Sequence, residues 1–195
     1  MDEKRGQILD QAIALADERG LAAISMRSVA ERLGLSSMAI YPYVGNKEAL
    51  LDGMVDRLLG ELSPVAGLDG SWQDRLRAVA HAVRGLARRH PGAYQLIMAR
   101  PSGTPDARRL DEMLSAILRE AKVPEADVPR LERLLSTLVL GFAASEVNGR
   151  FSATAVGPDD VDWDAEFEAD LDDGIGLVEQ VADRPPTGDL TSGRT

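Results

Sequence analysis

The chain has no cysteine and only two histidines among its 195 residues. The missing cysteine excludes disulfides, a thiol nucleophile and a thiolate metal site, and two isolated histidines argue against zinc. Aromatic residues make up only 4% of the chain. Together with abundant alanine, leucine, arginine and acidic residues, this composition favours helix and predicts no β-sheet of consequence.

Long hydrophobic runs are missing as well. The longest mostly apolar run covers residues 134–144 and is too short to cross a bilayer. The first residues, MDEKRGQILDQ, are charged where a signal peptide would be apolar. We therefore expect a soluble, cytoplasmic protein without membrane contact.

The acidic charge is unevenly distributed. The formal net charge is −10, and residues 158–195 carry 12 acidic and 2 basic residues, so the rest of the chain is neutral. Between residues 25 and 47, Arg27, Arg32 and Lys47 face one acidic residue, Glu31. This modest basic patch is compatible with a nucleic-acid partner.

Hydrophobic periodicity and capping residues predict about nine helices. Ser25, Ser36 or Ser37, and Asn46 are expected N-caps near the start of the chain, and Gly20 and Gly34 are expected helix ends. The predicted helices end near residues 20, 34, 45, 63, 89, 98, 122, 150 and 183. Pro91 is expected in the first turn of the sixth, and residues 184–195 in a disordered tail.

The most informative stretch is SMRSVAERLGLSSMAIYPYVGNKEALL, residues 25–51. It predicts two short helices joined at Gly34 around a small apolar core, with Ala30 where the helices cross closely. This is the helix-turn-helix arrangement.

The same stretch resembles the TetR family of regulators. The resemblance rests on these residues: Val29, Ala30, Gly34, Ser36, Ile40, Tyr41, Val44, Lys47 and Leu50. A looser similarity continues through His90-Pro91, Arg100-Pro101, Gly141-Phe142, Glu146, Phe167, Leu171 and Gly174. It implies an all-α subunit with a three-helix DNA-binding domain (1–47) and a helical regulatory domain (48–183) that dimerises and binds a small effector.

By position, the resemblance implies a repressor that contacts a palindromic operator in double-stranded DNA through these residues: Arg27, Ser36, Ser37, Met38, Ala39, Tyr41, Pro42, Tyr43 and Lys47. Arg27 suits guanine, and Lys47, placed unfavourably at a helix N-terminus, suits a phosphate. Tyr41 is either a phosphate contact or a core residue. Pro42 predicts a recognition helix that is short or kinked near Met38, with apolar contacts to thymine methyls.

The later helices suggest a dimer interface and an effector pocket, without cofactor or metal. The expected interface residues are Leu134, Leu138, Phe142, Phe167, Leu171, Ile175 and Val178, unless they close a monomer core. The expected pocket residues are Trp72, His81, Tyr94, Met98, Arg100, Phe142 and Glu146. Glu146 could instead pair with an arginine.

Three alternatives remain. A helical enzyme has little support, because HExxH, GxxxxGK[ST] and GxGxxG motifs are absent from the sequence. A winged-helix regulator would need strands after the recognition helix, where this chain predicts helix. The third is a TetR-like ligand-binding module with weak or lost DNA binding, which Pro42 and the modest basic patch make conceivable.

Overall fold

The computed structural model describes residues 2–62, 69–100, 104–153 and 161–184, and within these ranges the chain is all-α. Ten α-helices and one short 3-10 helix (Leu21–Ala23) are present in these ranges. The α-helices are α1 (Asp2–Arg19), α2 (Met26–Arg32), α3 (Ser37–Val44), α4 (Lys47–Gly60), α5 (Trp72–Arg89), α6 (Gln95–Ala99), α7 (Pro105–Glu120), α8 (Val128–Val147), α9 (Arg150–Ala153) and α10 (Trp163–Ala182).

All nine predicted helices are present, with differences at two boundaries. Pro91 precedes α6 rather than opening it, because residues 91–94 form a turn in which the Tyr94 amide donates to the His90 carbonyl at 2.8 Å. The long helix α8 ends at Val147, since Gly149 has a φ of 68° and breaks the helix before the short α9. The expected break at 63–64 and tail residues 185–195 lie outside the described residues.

The helix-turn-helix is built by local capping. Ser25 caps α2 through a reciprocal pair of hydrogen bonds with Ser28, as a capping box does. Gly34 has a φ of 67°, and the Leu35 amide donates a hydrogen bond to the Ala30 carbonyl at 2.9 Å. Ala30 is completely buried where the helices meet, so a larger side chain would separate them.

The recognition helix α3 is eight residues long and contains Pro42. Proline has no amide hydrogen, so the Met38 carbonyl loses its helical partner four residues on. The helix ends at Val44, two residues after Pro42. The next residue, Gly45, has a φ of 69°. The prediction of a short helix is confirmed.

A turn at residues 90–93 attaches the helix-turn-helix to the rest of the chain. Asp17, near the end of α1, accepts hydrogen bonds from the backbone amides of Gly92 and Ala93 at 3.0 Å each and contacts His90 Nδ1 at 2.8 Å. Gly92 lies directly against the α1 backbone at Ala16. The largest core cluster accordingly runs from α1 through α4 into α5 and α6.

Helix α10 packs against α5 and α8 inside the subunit. Five residues expected at a dimer interface are buried there against the chain's own helices: Phe142, Phe167, Leu171, Ile175 and Val178. They are core residues of the subunit, which corrects their assignment to the interface. Leu134 is 42% exposed and Leu138 is half-buried, so the interface prediction stays with these two.

Candidate nucleic-acid interface and ligand cavity

The nine residues expected to contact DNA come from α2, α3, the residue before α3 and the first turn of α4, and none of them is buried. Met38 is 75% exposed and Tyr41 43%, two of the few large hydrophobic side chains left open in the described ranges. Ser36, Pro42 and Lys47 are also exposed, whereas these members are half-buried: Ser37, Ala39 and Tyr43. The exposed face of α3 is therefore mostly apolar, with the Tyr41 hydroxyl as a polar group.

Lys47 begins α4 directly after its cap. The Asn46 side chain accepts a hydrogen bond from the Ala49 amide at 2.9 Å, which fixes where the helix starts. Across the described ranges Lys47 has no ion-pair partner. An unpaired cation beside the positive end of a helix dipole is disfavoured in the free protein and favoured when a phosphate approaches.

Arg27 is paired within its own helix. Its Nε donates to Glu31 at 2.6 Å, and this hydrogen bond raises the pKa of the guanidinium further above its usual range. Both side chains are exposed, and an exposed pair of this spacing contributes little to stability because solvent screens it. Arg27 can therefore exchange Glu31 for a base or a phosphate at little cost.

Arg32, the third cation of the basic patch, points to α1 instead. Its guanidinium forms two hydrogen bonds to Glu18, one of them 2.6 Å long, and Nε donates to Gln11 at 2.8 Å. The arginine lowers the pKa of Glu18. The sequence could not reveal this pairing because the partners lie 14 and 21 residues away.

Glu146, expected in the pocket, belongs to a buried ion network. Arg84 is almost completely buried and donates to Glu146 at 2.6 and 2.9 Å, and Arg88 donates to the same carboxylate at 2.8 Å. The two arginines lower the pKa of Glu146 to about 2. Arg84 also lies 4.5 Å from the ring centre of Phe167 and 5.2 Å from that of Phe142.

Two of the seven residues expected in the pocket, Tyr94 and Arg100, line a cavity of about 250 Å³ enclosed by α4 to α8. The other five do not line it: Trp72, His81, Met98, Phe142 and Glu146. His81 contacts Glu168 at 3.0 Å and the edge of the Phe167 ring, and Met98 is half exposed.

Tyr94 is completely buried, and among the residues that the structure describes its hydroxyl has no hydrogen-bond partner. Burial raises the pKa of this hydroxyl. Arg100, also at the cavity, bonds to Asp52 at 2.8 and 2.9 Å and to Glu48 at 2.8 Å. Both acids lie on α4, the helix that begins at Lys47, so the cavity wall is joined to the helix that follows the helix-turn-helix.

Two family models match this chain. The model of bacterial regulatory proteins of the tetR family covers residues 8–54, and the tetracyclin repressor-like C-terminal domain covers residues 76–173. The chain belongs to the TetR family. This is a family of transcriptional regulators and not an enzyme family.

Among relatives of this TetR-family chain is the transcriptional repressor DrrR1 of Streptomyces coeruleorubidus. It is 33% identical over 142 residues, which cover 72% of this chain and 53% of DrrR1. A regulator from Saccharopolyspora erythraea is 31% identical over 140 residues, covering 72% and 59% respectively. The chain thus spans between half and three fifths of the length of these two relatives.

A crystal structure of ActR of Streptomyces coelicolor in complex with actinorhodin has the same fold. It superimposes with a TM-score of 0.76 at 23% identity, covering 92% of this chain and 98% of ActR.

No helix in the described part of the TetR-family chain is long and apolar enough to span a membrane. The same residues contain no cluster of three or more potential ligands arranged to hold a metal ion.

Proposed function

We propose that this protein is a cytoplasmic transcriptional repressor that binds a palindromic operator as a homodimer and leaves it when a small effector binds. The observation that carries the proposal is the unpaired Lys47 at the start of α4, beside the exposed face of α3. Repression is the activity named for DrrR1, which is 33% identical to this chain over 142 residues.

In this proposal the DNA contacts divide by chemistry. Lys47 and the free amides of the first turn of α4 bind a phosphate, which positions the protein, and Arg27 binds guanine in the major groove. Met38, Ala39 and Pro42 contact thymine methyls, because they offer no side-chain donor. The hydroxyls of Tyr41 and Tyr43 bind phosphates.

The homodimer follows from the palindrome, since two-fold related helices read two-fold related half-sites. Leu134, with 42% of its surface exposed on α8, and the half-buried Leu138 one turn later are the contacts we assign to the partner subunit. Their position on one face of α8 suits an isologous helix pair.

Arg100 supports a route from effector to operator. It lines the cavity and binds Glu48 and Asp52 on α4, so a shift of Arg100 when a ligand fills the cavity is transmitted to the helix carrying Lys47. Arg100→Met should raise the effector concentration needed for release or abolish release, with operator binding retained. An unchanged effector response would remove Arg100 from the route.

Footprinting of the DNA flanking the protein's own gene over a series of salt concentrations tests the function. Lys47→Ala should lower operator affinity on all sequences and reduce the salt slope by about 1, as one lost phosphate contact does. Arg27→Ala should cost about 1–3 kcal/mol and relax preference at one base pair.

Arg119→Ala is the matched control. It also removes one exposed cation, but on α7 and paired with Glu125, and should change neither affinity nor salt slope. Equal effects of all three substitutions would contradict the assigned interface.

A ligand-binding module with weak or lost DNA binding is the second candidate. It is favoured by the diversion of Arg32 to Glu18, which leaves Arg27 and Lys47 as the cations of the surface, with Glu31 between them in sequence. Footprinting with no sequence-dependent, salt-sensitive protection at any promoter would support this candidate.

A further inference from the structure

The cavity is apolar on most of its surface and continues into a second space. Its apolar lining includes Leu59, Val83, Leu86, Ile97 and Leu114. A neighbouring apolar pocket of about 60 Å³ between α5, α7 and α8 shares five of its lining residues with it: Val83, Leu110, Leu114, Ser136 and Leu140. Such walls favour a ligand with an elongated apolar body.

The polar groups that remain unsatisfied in the cavity define where such a ligand can bond. The Tyr94 hydroxyl is buried and has no partner in the described part of the chain, and a buried hydroxyl left unbonded is unfavourable. Ser136 also lines the cavity, and its hydroxyl has no partner within the described ranges. A ligand oxygen or nitrogen facing Tyr94 would satisfy the more deeply buried of the two.

The charge of the cavity lies with Asp111 and Arg100. Arg100 is fully engaged by Glu48 and Asp52, whereas Asp111 forms no ion pair with any residue the structure describes. Burial, together with the nearby carboxylates of Glu132 and Glu112, raises the pKa of Asp111. Because Arg100 is paired with two carboxylates and Asp111 has no cationic partner within the described ranges, the uncompensated charge at this cavity is negative, which attracts a cation and repels an anion.

We propose that the cavity binds a cationic amphiphile, an apolar molecule whose amine pairs with Asp111 at the solvent-exposed edge and whose hydrogen-bond acceptor faces Tyr94. This inference rests on the proposed function, in which the same cavity holds the effector. An anionic ligand would have to draw Arg100 away from two carboxylates on α4, whereas an amine satisfies Asp111 without breaking a bond.

A matched series of three compounds tests the charge preference. The 4-(4-methoxyphenyl)butyl amine, alcohol and carboxylic acid share one apolar body and differ in charge at pH 7. Calorimetric titration of the full chain should show the amine binding about fivefold tighter than the alcohol, with the acid weakest. Tightest binding of the acid, or no binding of the amine, would overturn the proposal.

Two substitutions then locate the contacts. Asp111→Asn should bring the affinities of the amine and the alcohol within about twofold of each other, because one charge interaction is removed. The control is Glu166→Gln, which changes an exposed acid on α10 and should leave the preference for the amine unchanged. Tyr94→Phe should remove the advantage of the methoxy compounds over their unsubstituted phenyl analogues. Thermal unfolding of each variant verifies folding, and an amine preference that survives in Asp111→Asn would refute the assigned contact.

Operator binding, measured separately, distinguishes this inference from the function on which it rests. If the amine binds in a way that depends on Asp111 but the protein binds no operator, the repressor proposal is contradicted and the cavity proposal stands. If a neutral or anionic effector releases the operator and the amine does not bind, the cavity proposal is contradicted and the repressor proposal stands.

Discussion

The DNA-facing region and the regulatory region use arginine in opposite ways. Arg27 on α2 is exposed and held by one neighbour on its own helix, whereas Arg84 on α5 is buried and bound by Glu146, Asp164 and the Trp163 carbonyl. The first arrangement keeps a cation available for an incoming partner. The second uses Nε and Nη2 of Arg84 to hold α5, α8 and α10 together.

The same contrast appears in the contacts that hold each region in place. The regulatory helices are tied by buried charges that cannot separate without leaving an unpaired ion. The DNA-facing region is attached through Asp17 with the turn at residues 90–93, and through Arg100 with α4. Each of these attachments is a small set of polar contacts beside the shared apolar core, so single substitutions there test how the two regions are joined.

The largest effect on stability is expected for Gly92→Ala, which changes the turn at residues 90–93 where it packs against α1. An added Cβ would lie inside the contact distance of the Ala16 carbonyl oxygen and 2.6 Å from its carbon. Both are backbone atoms of α1 that cannot rotate away, so we expect a loss of more than about 3 kcal/mol, above the usual range for overpacking. Denaturant unfolding at fixed protein concentration measures this loss.

Gly6→Ala is the control for that change. A Cβ at Gly6, in the middle of the first turns of α1, meets nothing within 4 Å. Alanine is favoured over glycine in a helix by about 0.5–1 kcal/mol. Stability should stay level or rise, and a loss as large as that of Gly92→Ala would refute the packing argument.

Next in size is Glu146→Gln, which breaks the buried network of the regulatory region. Arg84 would remain charged and buried but would lose its main anionic partner. Because of this, the free energy of unfolding at pH 7 should fall by about 3 kcal/mol. Operator binding per folded molecule should be retained, since the network lies among α5, α8 and α10.

The difference in unfolding free energy between wild type and Glu146→Gln should decrease as the pH falls. The pKa of Glu146 is lowered from 4.5 to about 2 in the folded chain, so its stabilisation is complete above pH 4.5 and is lost as the pH falls towards 2. The gap in unfolding free energy between wild type and Glu146→Gln should therefore narrow below pH 4.5. A gap that is constant down to pH 2 would show that the ionised carboxylate is not its source.

The smallest effect is expected for Lys122→Gly, which lies outside both attachments. Lys122 follows α7 with a φ of 67°, and the Val123 amide bonds back to the Leu118 carbonyl at 3.1 Å, a helix ending that favours glycine. The substitution should raise the unfolding free energy by about 1 kcal/mol and leave DNA binding unchanged. Destabilisation would mean that the lysine side chain contributes a contact of its own.

Sequence patterns located the helix-turn-helix because its determinants are close together in the chain. Ser25, Gly34 and Asn46 act within a few residues of themselves through caps and a left-handed turn, and each does so in the structure. The positive φ of Lys122 was not foreseeable in this way, since no glycine marks the position.

What the sequence by itself determined is nine of the ten α-helices in the described ranges, the caps Ser25 and Asn46, and the order of the helix-turn-helix elements. Only the tertiary structure decided that Arg32 binds Glu18, that Glu146 binds Arg84 and that Tyr94 and Arg100 share a cavity. It also decided that the apolar face of α10 closes the subunit core. Caps and periodicity act over one or two helical turns, whereas ion pairs and cavities depend on how helices distant in sequence pack together.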